Sequence, residues 1–255
     1  MMKRFVFMTW LIGGWLAYGV QGSEELISNA EMVTYASGNE MVASYLAAPD
    51  GEGPFPALIV IHEWWGLNDW VKEKSRALAS RGYVALAVDL YRGKTAQDAE
   101  EAHELSRGLP NDRAARDLAA AYAFLHGESN VQGKKIGVIG WCMGGGYSLQ
   151  AALANPPLSA CVVNYWRLVT DESEVAKLPC PLLGIFGGKD RGIPVTMVKQ
   201  FEDLCRKAGK DVTIKIYPDS GHAFMNPNNQ AGYNAADTED AWGQIYTFLQ
   251  RTLRD

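Results

Sequence analysis

A cysteine between glycines stands where a short apolar run gives way to a helix-like segment. The run covers 135–139 and is followed by Gly140-Trp141-Cys142-Met143-Gly144-Gly145-Gly146, then by the alanine-rich segment 147–154. The β-branched run predicts a buried strand, and the segment after it predicts a helix. A strand ending in G-x-C-x-G that turns at once into a helix is typical of a nucleophile elbow. At the apex, the dipole of the following helix would favour a reactive thiolate at Cys142.

Two further side chains follow the ends of later predicted strands. Asp190 comes after the strand predicted over 181–186, and His222 after the one over 212–217. In sheets of this type, chemistry lies beyond the carboxyl ends of the strands. The order cysteine, acid, histidine is that of an α/β-hydrolase triad, in which the imidazole moves the nucleophile's proton and the carboxylate orients the imidazole. We therefore predict that Cys142, His222 and Asp190 form a triad.

Each of these residues also has a simpler interpretation. Cys142 could be incidental in a glycine-rich turn, and Asp190 could only cap the helix that follows it. Asp219 is a rival acid, although it lies on the same loop as His222. His62 also follows a predicted strand and is a rival base. Three suitable strand ends in the expected order favour the triad over separate explanations.

The elements that must position these residues alternate along the chain. An antiparallel hairpin is predicted within 31–48, and further strands over 57–61, 83–88, 135–139, 159–165, 181–186 and 212–217. Helices are predicted over 69–81, 96–126 with a break at 108–110, 147–154, 194–207 and 237–253. This alternation indicates an α/β fold with a doubly wound, mostly parallel sheet and helices on both faces. No linker interrupts it, so we expect a single domain over 23–255.

The N-terminal segment differs from the rest of the chain. Lys3 and Arg4 precede an uncharged apolar run over 5–20, and Val20-Gln21-Gly22 offers a small-residue cleavage signal. This pattern predicts a signal peptide over 1–22 and export of the mature protein to the periplasm or the medium. An uncleaved membrane anchor is the alternative, because the run approaches the lower length limit for spanning a bilayer.

Composition narrows the possible partners. With 255 residues, 47% of them apolar and 21% charged, the chain can bury a sizeable core. The net charge of −5 includes no basic stripe, so we expect no nucleic-acid partner. Cys161, Cys180 and Cys205 have no zinc-ligand spacing and are interpreted as buried thiols, with a disulfide among them left open. The oligomeric state also stays open, with a monomer as the default.

These motifs together resemble the dienelactone hydrolase family of α/β-hydrolases. The resemblance runs from about Glu31 onward and is carried by the elbow at 140–145, Ile61 to Asn68, Asp89-Leu90-Tyr91, Gly188-Lys189-Asp190 and Gly221-His222-Ala223-Phe224. It implies hydrolysis of a carboxylic ester or lactone through an acyl-cysteine thioester, of the carboxymethylenebutenolidase type, without cofactor or metal. There are two alternatives. One is another acyl-transfer enzyme or peptidase with the same triad, and the other is a non-catalytic exported binding module.

The resemblance also implies roles for residues around the thiol. Glu63 matches a glutamate that lies beside the catalytic thiol and helps to generate the thiolate; a salt-bridged loop carboxylate is the alternative. The backbone N–H groups of Trp64 and Met143 match the oxyanion hole, in agreement with the general rule for elbow enzymes.

On the substrate side, well-known family members bind a substrate carboxylate with two arginines. Arg92 falls near the first, displaced by one residue, whereas Met225-Asn226-Pro227 stands at the second. A broad aromatic-walled pocket is suggested instead by Trp64, Trp65, Tyr165 and Trp166, with packing of these aromatics in the core as the alternative. We therefore expect a general esterase or lactonase acting on a small ester. The predicted substrate-binding residues are Arg92, Trp65, Tyr165, Trp166 and Phe224.

Overall fold

The structure is a computed structural model that describes residues 29–154 and 157–255. The predicted signal peptide over 1–22, and with it the domain boundary that follows, lies outside these residues. Within the described part, no helix is both long enough and apolar enough to cross a membrane.

Eight strands form one sheet in the order β1-β2-β4-β3-β5-β6-β7-β8. β1 and β2 make the predicted antiparallel hairpin, β2 runs antiparallel to β4, and all remaining neighbours are parallel. The prediction of a mostly parallel sheet is therefore confirmed. The strands are β1 (Asn29–Ser37), β2 (Glu40–Ala48), β3 (Phe55–Ile61), β4 (Val84–Val88), β5 (Val131–Trp141), β6 (Ala160–Asn164), β7 (Leu182–Gly187) and β8 (Val212–Tyr217).

The helices follow the predicted pattern, including the break before Asn111. An unpredicted helix, α5, is one short turn whose N-cap, Asp171, accepts hydrogen bonds from the backbone N–H groups of Ser173 and Glu174. Five residues are too few to show a helical period, so the sequence pattern missed it. The helices are α1 (Asp69–Ala79), α2 (Ala99–Arg107), α3 (Asn111–Gly127), α4 (Met143–Ala154), α5 (Glu172–Ala176), α6 (Val195–Lys207) and α7 (Ala235–Leu249), which ends in a π-helical turn (Gln250–Arg254).

Helices cover both faces of the sheet. On one face, Trp141 at the end of β5 contacts Trp70 of α1 and Trp242 of α7, with ring centroids 5.3 and 5.7 Å away. On the other face, Ile59 of β3 lies with Leu118 of α3 around a small apolar cavity. Ile59 pairs with Val138, three residues before Trp141, and side chains alternate along a strand, so these contacts fall on opposite faces. The doubly wound α/β-hydrolase architecture is confirmed.

The central strands read as continuous apolar runs because both of their faces are covered. Residues 57–61 of β3 are at most 1% exposed. Burial of apolar surface stabilises the fold by roughly 25 cal/mol per Å², so these strands contribute much of its stability. The parallel strands all end at one edge of the sheet, and the loops that leave this edge carry His62, Cys142, Asp190 and His222.

Candidate active site

The turn between β5 and α4 holds Cys142 in a left-handed backbone conformation, with φ of 51°. Its glycines are required by close packing. A Cβ on Gly140 would lie 2.2 Å from the Gly144 carbonyl oxygen, and one on Gly144 would lie 2.3 Å from the carbonyl oxygen of Ile61. A left-handed backbone conformation at a non-glycine residue such as Cys142 costs about 1–3 kcal/mol and is typical of functional sites. The turn thus presents the Cys142 side chain at the start of a helix.

A continuous chain of hydrogen bonds links the three predicted triad residues. His222 Nε2 lies 3.1 Å from Cys142 Sγ, and His222 Nδ1 lies 2.7 Å from Asp190 Oδ2. The other carboxylate oxygen of Asp190 accepts from the backbone N–H groups of Gly192 (2.8 Å) and Ile193 (3.2 Å). The structure therefore brings together the thiol, the imidazole and the carboxylate in the geometry of a proton relay.

The protonation preferences of His222 and Asp190 follow from these contacts. Burial by itself lowers the pKa of His222, but its hydrogen bonds to Asp190 and Cys142 outweigh burial and raise the pKa to about 10. Burial also raises the pKa of Asp190, but the hydrogen bond from His222 and the two backbone donors bring that pKa below its usual value. The pair therefore favours an imidazolium beside a carboxylate.

Glu63 is buried and faces the same cavity as Cys142. Its Oε2 accepts a hydrogen bond of 2.6 Å from Asn226 Nδ2, and its Oε1 accepts one of 3.2 Å from the Tyr165 hydroxyl. Burial raises the pKa of Glu63 despite these two donors. Among the ion pairs of the described residues none includes Glu63, so the structure does not support the salt-bridge alternative.

The predicted oxyanion donors come from two loops, one after β3 and the other at the elbow. Trp64 lines the cavity that contains Cys142, and Met143 is the first residue of α4. Within 29–154 and 157–255, neither of their backbone N–H groups donates to a backbone carbonyl outside regular helices and strands. Two such N–H groups beside a nucleophile can receive a developing oxyanion.

His62, the rival base, is fully buried and is held by the backbone. Its Nδ1 lies 2.5 Å from the Glu63 carbonyl oxygen, and its Nε2 accepts from the Leu90 N–H at 3.3 Å. The second bond fixes the tautomer, since Nδ1 must then carry the proton. Burial lowers the pKa of His62. Both nitrogens are occupied, so His62 positions the loop that carries Glu63 and Trp64.

The cavity above Cys142 has a volume of about 800 Å³. Two tryptophans, a set of side-chain amides and the reacting groups form its wall. The lining residues are Glu63, Trp64, Trp65, Asn68, Ala96, Cys142, His222, Ala223, Asn226, Asn228, Asn229, Gln230 and Ala231. A cavity of this size accommodates a small organic molecule.

Four of the five predicted substrate-binding residues do not line this cavity. Of the set, only Trp65 does. Tyr165 and Phe224 are fully buried behind His222, with the Tyr165 ring 5.4 Å from the imidazole and 5.9 Å from the Phe224 ring. Trp166 lies beside Gly146 in a separate surface cleft. Tyr165 therefore contributes through its hydrogen bond to Glu63, and Phe224 through packing.

The prediction for Arg92 is corrected by the structure. Its guanidinium makes two contacts, of 2.7 and 2.9 Å, with the carboxylate of Asp117, which is fully buried on α3, and a third contact of 3.3 Å with Glu40. Leaving a buried carboxylate unpaired would cost several kcal/mol, so Asp117 retains this arginine. The position after β4 suggested a substrate contact, but the partner lies 25 residues further along the chain.

Two asparagines of the loop after β8 were not predicted. Asn226 holds Glu63, and Asn229 Nδ2 donates to the carbonyl oxygens of His222 (3.0 Å) and Ala223 (3.3 Å). Asn229 thus fixes the backbone that carries the imidazole. The available signal was the amide-rich segment 226–230 directly after the histidine, although amides alone do not indicate which groups they contact.

The other cysteines take no part in this site. Cys161, Cys180 and Cys205 are buried free thiols, as predicted. Burial raises the pKa of Cys180 to about 12 and that of Cys205 to about 11. In the part of the chain that the structure describes, no cluster of histidine, cysteine or acidic side chains is arranged to hold a metal ion.

The model of the dienelactone hydrolase family matches residues 42–253. The chain belongs to the dienelactone hydrolase family. A Methylorubrum extorquens protein to which carboxymethylenebutenolidase activity is ascribed is 33% identical over 225 residues, covering 83% of this chain and 77% of that protein. The expectation of a carboxylic-ester hydrolase is thus confirmed at the level of the family, and the protein is a dienelactone hydrolase-like hydrolase.

Solved structures agree with this assignment. A dienelactone hydrolase structure from Klebsiella pneumoniae has a TM-score of 0.78 and 27% identity, covering 87% of this chain and 98% of that one. A dienelactone hydrolase-like promiscuous phosphotriesterase from metagenomic libraries has a TM-score of 0.81 and 25% identity, covering 88% of this chain and 98% of its own. The family fold is shared over nearly the whole of each molecule.

Proposed function

We propose that this hydrolase cleaves small carboxylic esters or lactones through an acyl-cysteine intermediate. The observation that carries the proposal is the hydrogen-bonded chain from Cys142 through His222 to Asp190, with Cys142 and His222 lining the cavity. The strained elbow at Cys142, the two candidate oxyanion donors and a cavity volume suited to a small molecule support it. The family assignment supports hydrolysis as the class of reaction.

In the proposed acylation step, the Cys142 proton has passed to His222, as the raised pKa of His222 favours, and the resulting thiolate attacks the substrate carbonyl carbon. The oxyanion that forms is received by the N–H groups of Trp64 and Met143. Collapse of the tetrahedral intermediate breaks the ester C–O bond, and the imidazolium returns its proton to the leaving alcohol. Asp190 stabilises the imidazolium meanwhile. With a lactone, the alcohol stays attached to the acyl group.

In the proposed deacylation step, a water molecule replaces the alcohol. His222 takes a proton from the water, whose oxygen attacks the thioester carbonyl. The C–S bond then breaks, the thiolate recovers a proton from the imidazolium, and the carboxylic acid leaves. Glu63 is a second acceptor for the thiol proton when substrate displaces it from Asn226 or Tyr165, a role supported by its burial beside the thiol and by its uncharged partners.

The test is turnover of para-nitrophenyl acetate by wild type and Cys142→Ala. We expect burst release of nitrophenol and a trapped acetyl group on the Cys142 peptide by mass spectrometry. Loss of the nucleophile should lower kcat/KM at least about 1,000-fold. Thermal unfolding provides the folding control. Unchanged turnover by a folded Cys142→Ala protein would reject the assignment of the nucleophile.

The two remaining alternatives give different outcomes with the same protein. A peptidase would release amines from a peptide panel faster than it hydrolyses esters. A non-catalytic binding module would show no burst and only slow alkylation of Cys142 by iodoacetamide, because an unactivated thiol reacts slowly.

A second candidate reaction is hydrolysis of uncharged phosphotriesters. One similar solved structure is described as that of a promiscuous phosphotriesterase. A pair of N–H groups can receive a phosphoryl oxygen as well as a carbonyl oxygen. Turnover of diethyl para-nitrophenyl phosphate that disappears in Cys142→Ala would support this activity at the same site, and no turnover would reject it.

We also propose that the protein is exported after cleavage near Gly22, on the strength of the sequence pattern at 1–22. Intact mass of the protein recovered from fractionated cells tests this. A mature chain beginning near Ser23 in the exported fraction is expected, and a full-length chain in the membrane fraction would indicate the anchor instead.

A further inference from the structure

The charges around the cavity are one-sided. Of the described residues that line it, none is a lysine or an arginine, and Glu63 is a carboxylate. His222 can carry a positive charge, but its imidazolium is paired with Asp190. Arg92 is held by Asp117 away from the cavity. A second carboxylate entering with a substrate would therefore find no free cation in the wall.

Asn226 is a neutral residue of this wall and binds Glu63 directly. Its Nδ2 donates to Glu63 at 2.6 Å, while its Oδ1 accepts from the Asn228 N–H at 2.9 Å. These two bonds fix the orientation of the amide. In the reverse orientation, the Asn226 oxygen would face a Glu63 oxygen and the Asn226 nitrogen would face the Asn228 N–H. Asn226 is 2% exposed, so its position is set by packing as well. Glu63 is thus bound by a neutral amide and a phenol.

An anionic acyl group would be disfavoured in such a cavity for two reasons. Removing a carboxylate from water without pairing it is unfavourable. In addition, Glu63 in its ionised form would repel it, and like charges brought together in a binding site strongly disfavour a partner. An uncharged acyl group meets neither obstacle and can pack against Trp64 and Trp65.

Resting on the function proposed above, we propose that the cavity selects substrates whose acyl group is uncharged, and that the neutral Asn226–Glu63 contact is the source of this selectivity. Asn226 acts here as a specificity-determining residue. A cation at this position of the wall would reverse the preference.

The experiment compares two esters of para-nitrophenol with acyl chains of equal length, the hexanoate and the mono-adipate. The mono-adipate differs only in having a carboxylate in place of the terminal methyl group. We expect wild type to show a kcat/KM at least about tenfold higher for the hexanoate. Equal rates, or a preference for the mono-adipate, would overturn the inference.

Two variants introduce the missing cation. Asn226→Arg should raise the mono-adipate to hexanoate ratio of kcat/KM by at least about tenfold. Because this side chain is buried, a second variant guards against misfolding: Asn228→Lys adds a cation to an exposed part of the same wall and should raise the ratio in the same direction. Gln200→Lys, on α6 and outside the cavity, makes the same charge change and should leave the ratio within about twofold.

The outcomes separate the inference from the proposed function. If Cys142→Ala still hydrolyses the hexanoate, the proposed function is wrong. If hydrolysis depends on Cys142 but wild type prefers the mono-adipate, only the selectivity is wrong. The folded Asn228→Lys variant could leave the mono-adipate to hexanoate ratio of kcat/KM unchanged, as the Gln200→Lys control should. In that case the cavity charge does not set the preference, and the inference fails.

Discussion

Two loops at the same edge of the sheet each present a histidine, and they use it in opposite ways. His62 follows β3, is fully buried, and contacts backbone groups with both ring nitrogens. His222 follows β8, remains partly exposed, and contacts Asp190 and Cys142 with its two ring nitrogens. The first histidine holds the chain in place, whereas the second joins a nucleophile to a carboxylate.

The contrast shows that position at a strand end does not define a catalytic base. What differs is the partner of each ring nitrogen and the electrostatic result. Burial lowers the pKa of His62, whereas the hydrogen bonds of His222 overcome burial and raise its pKa to about 10. One imidazole stays neutral and structural, and the other is disposed to hold a proton.

The largest expected effect separates the two histidines by activity. His222→Ala should lower kcat/KM for para-nitrophenyl acetate about 10,000-fold, because the relay from Cys142 is broken. Its stability should also fall, because the buried carboxylate of Asp190 loses its partner, so the activity is measured on protein shown to be folded. Steady-state kinetics and urea unfolding on the same preparation check both statements. An active His222→Ala protein would remove the basis of the comparison.

The next effect tests the structural role of His62 through stability. His62→Ala should lower the free energy of unfolding by about 2–4 kcal/mol, because it leaves a cavity and strips the Leu90 N–H and the Glu63 carbonyl of their buried partner. Urea unfolding measures this. His126→Ala, at an exposed site on α3, is the matched control and should stay within about 0.5 kcal/mol of wild type. A similar small loss for His62→Ala would contradict the structural role.

A smaller effect tests how the His222 loop is held. Asn229→Ala should lower kcat about tenfold through misplacement of the imidazole, with little change in KM. Asn229→Asp, which keeps the shape but loses the N–H donors, should behave in the same way. Gln200→Ala serves as the control on α6. A loss confined to KM would point to a substrate contact in place of a positioning role.

The smallest effect is the pH dependence of stability, for which the two histidines have opposite signs. The raised pKa of His222 gives a contribution that is complete below about pH 6.5, the unfolded value, and is lost as pH rises through about 10. The lowered pKa of His62 makes stability fall as pH drops below about 6.5, since the unfolded ring binds the proton. NMR titration of the ring nitrogens measures each pKa directly.

In the same titration, Asp190→Asn should lower the pKa of His222, because it removes the acceptor that stabilises the imidazolium. The pKa of His62 should not respond to this substitution. A shift of both rings would show that the two loops are electrostatically coupled, contrary to the distinction drawn above.

Much of the fold followed from local pattern. The apolar runs of β3 and β5, the break before α3 and the hairpin of β1 and β2 were all predicted, because each depends on residues close together in the chain. The helix α5 was missed because one turn carries no period. The start of α4 at Met143 was placed too late, since the glycines of the elbow resemble a turn in sequence and are helical only when packed against β3.

The site was predictable to the extent that strand ends could be placed. The sequence alone determined that Cys142, Asp190 and His222 follow strand ends, in the order that an α/β-hydrolase uses. Parallel strands share one edge, so this is enough to bring them near one another. The buried free thiols elsewhere also followed from the spacing and surroundings of their cysteines.

Only the tertiary structure decided which groups these residues contact. Asn226 reaches Glu63 across 163 residues, and Arg92 is taken by Asp117 on a helix. The sequence left His62 as a rival base, and two backbone contacts show that it instead holds its loop in place. Hydrophobic periodicity is a local property that specifies elements, whereas the partner of a polar side chain depends on where distant loops meet.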